Sequence, residues 1–180
     1  MSGSPRDAWA DDDFTHQTIA LIQQIRGERI PFLGVCYGHQ LLARAAGAEV
    51  NLDPQGLELG NSTISLTDAG RRSGLFARCH EPIRVLQSHR DAVLRLPAGA
   101  VLLASNEHTP IQAFSIEDRM FGVQFHPETN PDILRFLWEP RRETYRANPN
   151  FDIDRALTQM QPTPEAPQIL RNFANSSIAP

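Results

Sequence analysis

Residues 31–40 read Pro-Phe-Leu-Gly-Val-Cys-Tyr-Gly-His-Gln, an apolar run followed at once by a Gly-x-Cys-x-Gly pattern. The run from Pro31 to Val35 predicts a short buried strand. The residues after it predict a helix from about Gly38 that closes at Gly47. A strand that leads directly into a helix indicates an α/β layer fold with at least one parallel crossover.

The flanking sequence fits this prediction. Isoleucines at helical spacing predict a helix over Thr15–Gly27. Residues 139–180 are polar and interrupted by prolines, and they predict a mostly helical extension that packs on a domain formed by residues 1–138. The region between these parts is β-rich, and its candidate strands are Thr63–Thr67, Ile83–Ser88, Ala100–Ser105, Ile111–Ile116 and Met120–Phe125, the last two forming a hairpin.

Composition excludes several classes of protein. The 180 residues carry 17 Lys and Arg against 21 Asp and Glu, and the pI of about 5.8 is too low for a typical nucleic-acid-binding domain. No apolar run approaches the ~18 residues of a membrane span, and residues 1–13 are too polar and acidic for a secretory signal. Two cysteines suggest free thiols in a reducing compartment. These features predict a soluble, cytoplasmic protein.

Cys36 is the candidate nucleophile. Gly34 and Gly38 flank it as in a nucleophile elbow, a sharp turn between strand and helix that lifts one side chain into the open. The amino end of the helix would favour a thiolate, and the backbone N–H of Tyr37 would point at the reacting carbonyl oxygen. The alternative is that Cys36 is a small buried hydrophobe. A metal site at Cys36 and His39 lacks a second ligand pair, and Cys79 has no setting for chemistry.

A cysteine nucleophile needs a base, and two histidines qualify. His89 and His126 each end an apolar strand and are followed two residues later by a carboxylate, Asp91 or Glu128. Residues i and i+2 of an extended chain point to the same side, so either carboxylate could orient its imidazole. Pro127 gives His126 an advantage because it holds that residue extended. Spacing alone does not separate the two pairs, and each histidine could instead be structural.

The order of these segments resembles the class I, or triad, glutamine amidotransferases, most closely the stand-alone relatives of the GMP synthase glutaminase domain. The resemblance rests on residues 31–40 and on the segment Gly122-Val-Gln-Phe-His126-Pro-Glu128. Between them, residues 87–91 resemble the substrate-contact segment of that family, and residues 111–114 precede the final strands as they do there.

The resemblance implies a three-layer, flavodoxin-like, mostly parallel sheet with helices on both faces. It implies that Cys36 attacks the glutamine side-chain amide, that His126 acts as base and acid, and that Glu128 orients His126. No metal or other cofactor is implied. The implied oxyanion-hole residues are Gly3, Ser4 and Tyr37, and the implied substrate contacts are Gln40, Ser88, His89, Arg90 and Asp91.

The same motifs are compatible with three functions. The chain could be a glutaminase that gives ammonia to a separate synthetase subunit, a γ-glutamyl peptidase with the same triad, or an inactive relative. Residues 2–5 match the oxyanion loop that follows the third strand in the family. The resemblance therefore implies that the first strands are missing from the domain at residues 1–138. We expect such a chain, expressed alone, to fold poorly or to be weakly active.

Overall fold

The computed structural model describes residues 1–148 and 151–178. Its strands are β1 to β8, and its α-helices are α1 to α7. The strands span Phe32–Val35, Val50–Leu52, Glu58–Leu66, Ile83–His89, Asp91–Val93, Val101–Ser105, Ala113–Ile116 and Met120–Val123. The helices span Asp13–Gly27, Tyr37–Ala45, Asp68–Arg72, Pro131–Trp138, Arg142–Arg146, Ile153–Thr158 and Ala166–Ile178, with 3₁₀ turns at Gly74–Phe76 and Glu139–Arg141.

Six strands form a mixed sheet in the order β1-β8-β7-β6-β3-β4, and β2 pairs with β5 in a separate ribbon. The α/β class is confirmed, but the implied mostly parallel sheet is not what these residues form. Only β1 and β8 are parallel; the other four pairings of the sheet are antiparallel. For β7 and β8 the reason is their connection, since a link as short as residues 117–119 can join only antiparallel neighbours.

Helices cover both faces of the sheet because its strands are apolar on both sides. Phe32 and Met120 point into a cluster with Ile22 and Leu41, which α1 and α2 contribute. Alternate residues such as Leu33 and Val123 point into a second cluster that includes Ile169 of α7 and the 3₁₀ turn at 74–76. The strands with the nucleophile candidate and the base candidate are thereby fixed from both sides.

The sheet curls, so that its two ends approach each other near residue 126. Just beyond β8, the N–H of His126 donates to the carbonyl of Leu86 in β4, at 2.9 Å. At the start of α2, the N–H of Cys36 donates to the carbonyl of Val123 in β8, at 2.9 Å. The ends of β1, β8 and β4 consequently meet in one place.

The region after residue 138 is mostly helical, as expected. Leu157 of α6 and Met160 pack with Trp138 of α4 against Leu59 and Leu86 of the curled sheet edge. Whether residues 1–138 form a separate unit stays a prediction. In the described part of the chain, no helix is long and apolar enough to cross a membrane.

The first residue lies along the outer edge of β1. The amino group of Met1 donates to the carbonyl of Leu33 at 2.8 Å, and the N–H of Val35 donates to the carbonyl of Met1 at 2.8 Å. This is the hydrogen-bond pattern of a parallel bridge. That further strands belong before Gly3 remains a prediction.

The elbow leaves no room for a side chain at Gly34. A Cβ there would lie 2.3 Å from the carbonyl oxygen of Gly38, whereas one at Gly27 would meet nothing within 4 Å. We expect Gly34→Ala to lower the free energy of unfolding by about 1–3 kcal/mol or more, because backbone must move. Gly27→Ala is the control and should leave stability unchanged or raise it by up to about 1 kcal/mol. Urea unfolding measures both, and equal effects would contradict this account.

Candidate active site

Cys36 lies at the strained turn between β1 and α2. Its backbone has φ 51° and ψ −104°, a left-handed conformation that is costly for any residue except glycine. Gly34 permits the close approach of strand and helix at this turn, since a Cβ there would lie 2.3 Å from the carbonyl oxygen of Gly38, and Gly38 leaves room for Met1, whose carbonyl oxygen would lie 2.6 Å from a Cβ. The Cys36 thiol is almost buried and donates to the carbonyl of Ser88, with Sγ 3.7 Å from the oxygen.

His126 and Glu128 follow β8, the parallel neighbour of β1. Nδ1 of His126 lies 2.9 Å from Oε1 of Glu128, and the same oxygen accepts a hydrogen bond from the Ser2 hydroxyl at 2.9 Å. The two side chains lie together as the sequence predicted, although the backbone at Pro127 and Glu128 forms a turn and is not extended. Glu128 is therefore placed to orient the ring.

Gly3 lies against both Cys36 and His126. A Cβ on Gly3 would lie 2.9 Å from Cε1 of His126, 3.8 Å from its Nε2 and 3.7 Å from Cβ of Cys36. One backbone position thus touches both side chains, and only glycine fits there without displacing the ring.

The electrostatics of this group favour a charged imidazole. Burial lowers the pKa of His126, but the neighbouring Cys36 sulfur and the hydrogen-bonded Glu128 outweigh burial and raise that pKa to about 10. Burial raises the pKa of the Glu128 carboxyl, but the hydrogen bond with His126 and the charge of that ring outweigh burial and hold the pKa below its usual value. A proton on His126 is stabilised by the Cys36 sulfur when it is a thiolate and by the Glu128 carboxylate on the other side of the ring.

His89, the competing base candidate, is held elsewhere. Its Nε2 lies 2.9 Å from Oε2 of Glu58, and its Nδ1 lies 3.1 Å from the backbone carbonyl of Asp91. The expectation that the Asp91 carboxylate could orient this ring is wrong. That carboxylate turns away, accepting from the N–H of Ala8 at 3.3 Å and pairing with Arg90 at 3.6 Å.

A cleft of about 710 Å³ opens over Cys36. All five implied substrate contacts line it, as do Gly3 and Ser4; the five are Gln40, Ser88, His89, Arg90 and Asp91. Gln40 is also bonded within the fold, donating to the carbonyl of Asp91 at 2.7 Å. Another part of its lining, here called the apolar side, is formed by Leu57, Ile133, Leu137, Trp138 and Tyr145, with Arg141 beside Trp138.

Comparison with protein families shows which family the chain belongs to. The family model described as glutamine amidotransferase class-I matches residues 1–134. The chain belongs to the class I glutamine amidotransferase family. Among solved structures, that of a glutamine amidotransferase from Thermotoga maritima aligns with a TM-score of 0.82 at 24% identity, covering 99% of this chain and 76% of that one.

Two curated relatives of this amidotransferase-family chain differ in their reactions. Gamma-glutamyl peptidase 5 of Arabidopsis thaliana is 35% identical over 136 residues, which are 74% of this chain and 54% of that protein. The glutamine-hydrolysing GMP synthase of Aeropyrum pernix is 40% identical over 129 residues, 71% of this chain and 23% of that protein. The chain spans about half the length of the peptidases that it matches.

The implied oxyanion residues of this family member lie at two places around Cys36. Tyr37 begins α2, where the first N–H groups of a helix have no partner within the helix, and its ring is buried. Gly3 and Ser4 line the cleft on the side of His126, and the Ser4 hydroxyl accepts from the N–H of Arg6 at 3.2 Å.

The remaining histidines have other settings. His39 is fully buried, with its ring centroid 4.9 Å from that of Phe114, and burial lowers its pKa to about 3. His16 and His80 are exposed, and His108 contacts the carbonyl of Gly56. Cys79 is half-buried and away from the cleft. Within residues 1–148 and 151–178, no three His, Cys, Asp or Glu side chains are grouped to hold a metal ion.

Sequence reasoning missed two features of the site. The carboxylate that pairs with His89 is Glu58, 31 residues earlier, and the apolar side of the cleft comes from α4 and its neighbours. A signal for Glu58 exists, because it stands between Leu57 and Leu59 in a strand whose apolar residues are buried. No local signal shows that Ile133 and Leu137 face a cleft.

The Glu128 carboxylate should control the protonation of His126. Because a nearby negative charge favours the imidazolium, Glu128→Gln is expected to lower the pKa of His126 from about 10 by about one unit or more. NMR titration of the histidine ring carbons measures this midpoint. Ser2→Ala, which keeps the charge and removes only the other hydrogen bond to Glu128, should shift it less. An unchanged midpoint in Glu128→Gln would refute the assignment.

Proposed function

We propose that the chain is a hydrolase of γ-glutamyl amides in which Cys36 is the nucleophile, His126 the base and acid, and Glu128 the orienting group. The observation that carries this proposal is the position of Gly3, which touches both Cys36 and His126 while Glu128 binds the far side of the ring. A nucleophile, a base and an orienter in this order form the arrangement that thiol catalysis needs.

In the first half of the reaction, Cys36 Sγ attacks the side-chain carbonyl carbon of the γ-glutamyl group, and His126 holds the thiol proton. The carbonyl oxygen becomes an oxyanion that accepts hydrogen bonds from the N–H of Tyr37 and from the loop at Gly3 and Ser4. His126 then gives its proton to the departing nitrogen. The C–N bond breaks and leaves a γ-glutamyl thioester on Cys36.

In the second half, water replaces the amine. His126 takes a proton from the water, the hydroxide adds to the thioester carbon, and the C–S bond breaks. Glutamate leaves and Cys36 takes back its proton. Throughout, the Glu128 carboxylate stabilises the charge on His126 at 2.9 Å from Nδ1.

Binding of the glutamyl end falls to the polar side of the cleft. Its α-carboxylate suits Arg90 and its α-ammonium suits Asp91, whose Oδ1 is buried and accepts no hydrogen bond in the described structure. Burial raises the pKa of that carboxyl, and an ammonium group beside it would have the opposite effect.

A glutamine-directed affinity label that alkylates Cys36 tests the roles of the two histidines. We expect His126→Ala to slow labelling by about 10²-fold or more, because general acid–base catalysis contributes that much. Cys36→Ala should abolish it, and His89→Ala should retain more of it than His126→Ala. Mass spectrometry of the labelled peptide measures the rates. Loss in His89→Ala alone would reverse the assignment, and no labelling of the native chain would support an inactive relative.

The leaving group distinguishes two candidate reactions. Glutamine releases ammonia, which needs no apolar surface, yet Ile133 and Leu137 are 47% and 49% exposed on the side of the cleft that Trp138 lines. Apolar surface beside a nucleophile favours a larger leaving group. This observation supports hydrolysis of γ-glutamyl peptides, the reaction named for one of the relatives, as the second candidate. Release of ammonia to a separate synthetase in the cytoplasm is the first.

Substitution of the apolar side separates these candidates. If the chain cleaves peptides, Leu137→Ser should reduce turnover of γ-glutamyl-leucine by about tenfold, the effect of about 1.4 kcal/mol of lost apolar contact, and leave glutamine turnover unchanged. Phe136→Ser is the matched control, since Phe136 is 79% exposed on the same helix and does not line the cleft. Equal turnover of the dipeptide in both variants would favour the glutaminase.

A further inference from the structure

Glu58 is a buried carboxylate that the proposed reaction leaves without a role. Three donors surround it: His89 Nε2 at 2.9 Å and Gln112 Nε2 at 3.1 Å on Oε2, and Asn106 Nδ2 at 2.6 Å on Oε1. Burial opposes its charge, but these hydrogen bonds, above all that with His89, lower the pKa of Glu58 below the usual value. A charge kept inside a fold at this cost needs an explanation.

The link from Glu58 runs through His89 towards the nucleophile. A carbonyl can only accept, so Nδ1 of His89 donates to the carbonyl of Asp91, while Nε2 faces Glu58. The same carbonyl accepts from Gln40, at 2.7 Å. Gln40 lies one helical turn after Cys36 and donates its own N–H to the Cys36 carbonyl at 3.0 Å.

The segment held by this link faces the reacting atoms. Residues 88–91, here called the cleft segment, line the cleft, and the carbonyl of Ser88 accepts the Cys36 thiol. Its far end is held by Trp138, which donates to the Ser88 hydroxyl at 2.8 Å. The backbone bends at Arg90, between β4 and β5. Just before this bend, His89 of β4 is directly paired with Glu58 of β3.

We propose that Glu58 is a positioning residue that acts through His89 to hold the cleft segment against the helix of Cys36, and so sets the affinity for the γ-glutamyl end of the substrate. The proposal rests on the proposed function for the identity of that substrate. Glu58 acts through His89 on Arg90 and Asp91, the proposed contacts of the glutamyl end, so the loss should appear in binding and not in the reactivity of Cys36.

The test compares Glu58→Gln with Asp53→Asn. An amide oxygen accepts fewer hydrogen bonds than a carboxylate, and its NH₂ would face donors. Asp53 is the matched control, because its carboxylate is equally buried in the same polar cluster, accepts from Thr109 at 2.6 Å, and does not contact His89. The readouts are labelling of Cys36 by the glutamine-directed reagent and by iodoacetamide, which needs no glutamyl site.

We expect Glu58→Gln to weaken binding of the glutamine-directed reagent about tenfold, equivalent to about 1.4 kcal/mol of one charged hydrogen bond, with the iodoacetamide rate unchanged. Asp53→Asn should change neither. In a His89→Ala background, Glu58→Gln should add no further loss, since the two act in series. Equal slowing by both reagents, equal effects of the two variants, or full additivity with His89→Ala would overturn the proposal.

Amide hydrogen exchange tests the positioning role of Glu58 independently of the proposed function. If the native chain reacts with iodoacetamide but not with the glutamine-directed reagent, the proposed function fails. The positioning role is then judged by amide exchange of residues 86–92, which should accelerate in Glu58→Gln and not in Asp53→Asn. Unchanged exchange in Glu58→Gln would overturn the positioning role whatever the activity.

Discussion

The parallel pairing of β1 with β8 is the constraint on which the site depends. It aligns Val35 with Val123, so that the chain leaves both strands at the same edge, as carboxyl ends of parallel neighbours do. Cys36 follows one strand directly and His126 the other by three residues. A slip of register would separate them, and the apolar clusters on both faces oppose such a slip because all of β1 and all of β8 except the partly buried Phe121 are buried.

Around this pair, two carboxylates engage two histidines in different ways. Glu128 is 32% exposed at the mouth of the cleft and borders a histidine that also meets the thiol, whereas Glu58 is 9% exposed beneath His89. The partly open pair is accessible to groups that enter the cleft. The enclosed pair has all its hydrogen bonds inside the fold, which suits a fixed part of the framework.

Local sequence predicted much of this arrangement and failed where contacts are distant. The strand-turn-helix at residues 31–45 and the hairpin at 113–123 depend on neighbouring residues, and both are present. The direction of β3, β4 and β6 depends on connections that periodicity does not show, and the short strands β2 and β5 were missed. Likewise, the i+2 rule placed Glu128 beside His126, but it could not find Glu58 for His89, because that pairing is made across two strands.

The bridge between Met1 and β1 ties residues 1–3 to the strand that leads to Cys36. Two residues after Met1, Gly3 lies against the His126 ring. A change that pulls residues 1–3 from the edge of β1 would therefore also withdraw Gly3 from His126, so the pairing at this edge and the packing of the His126 ring are coupled.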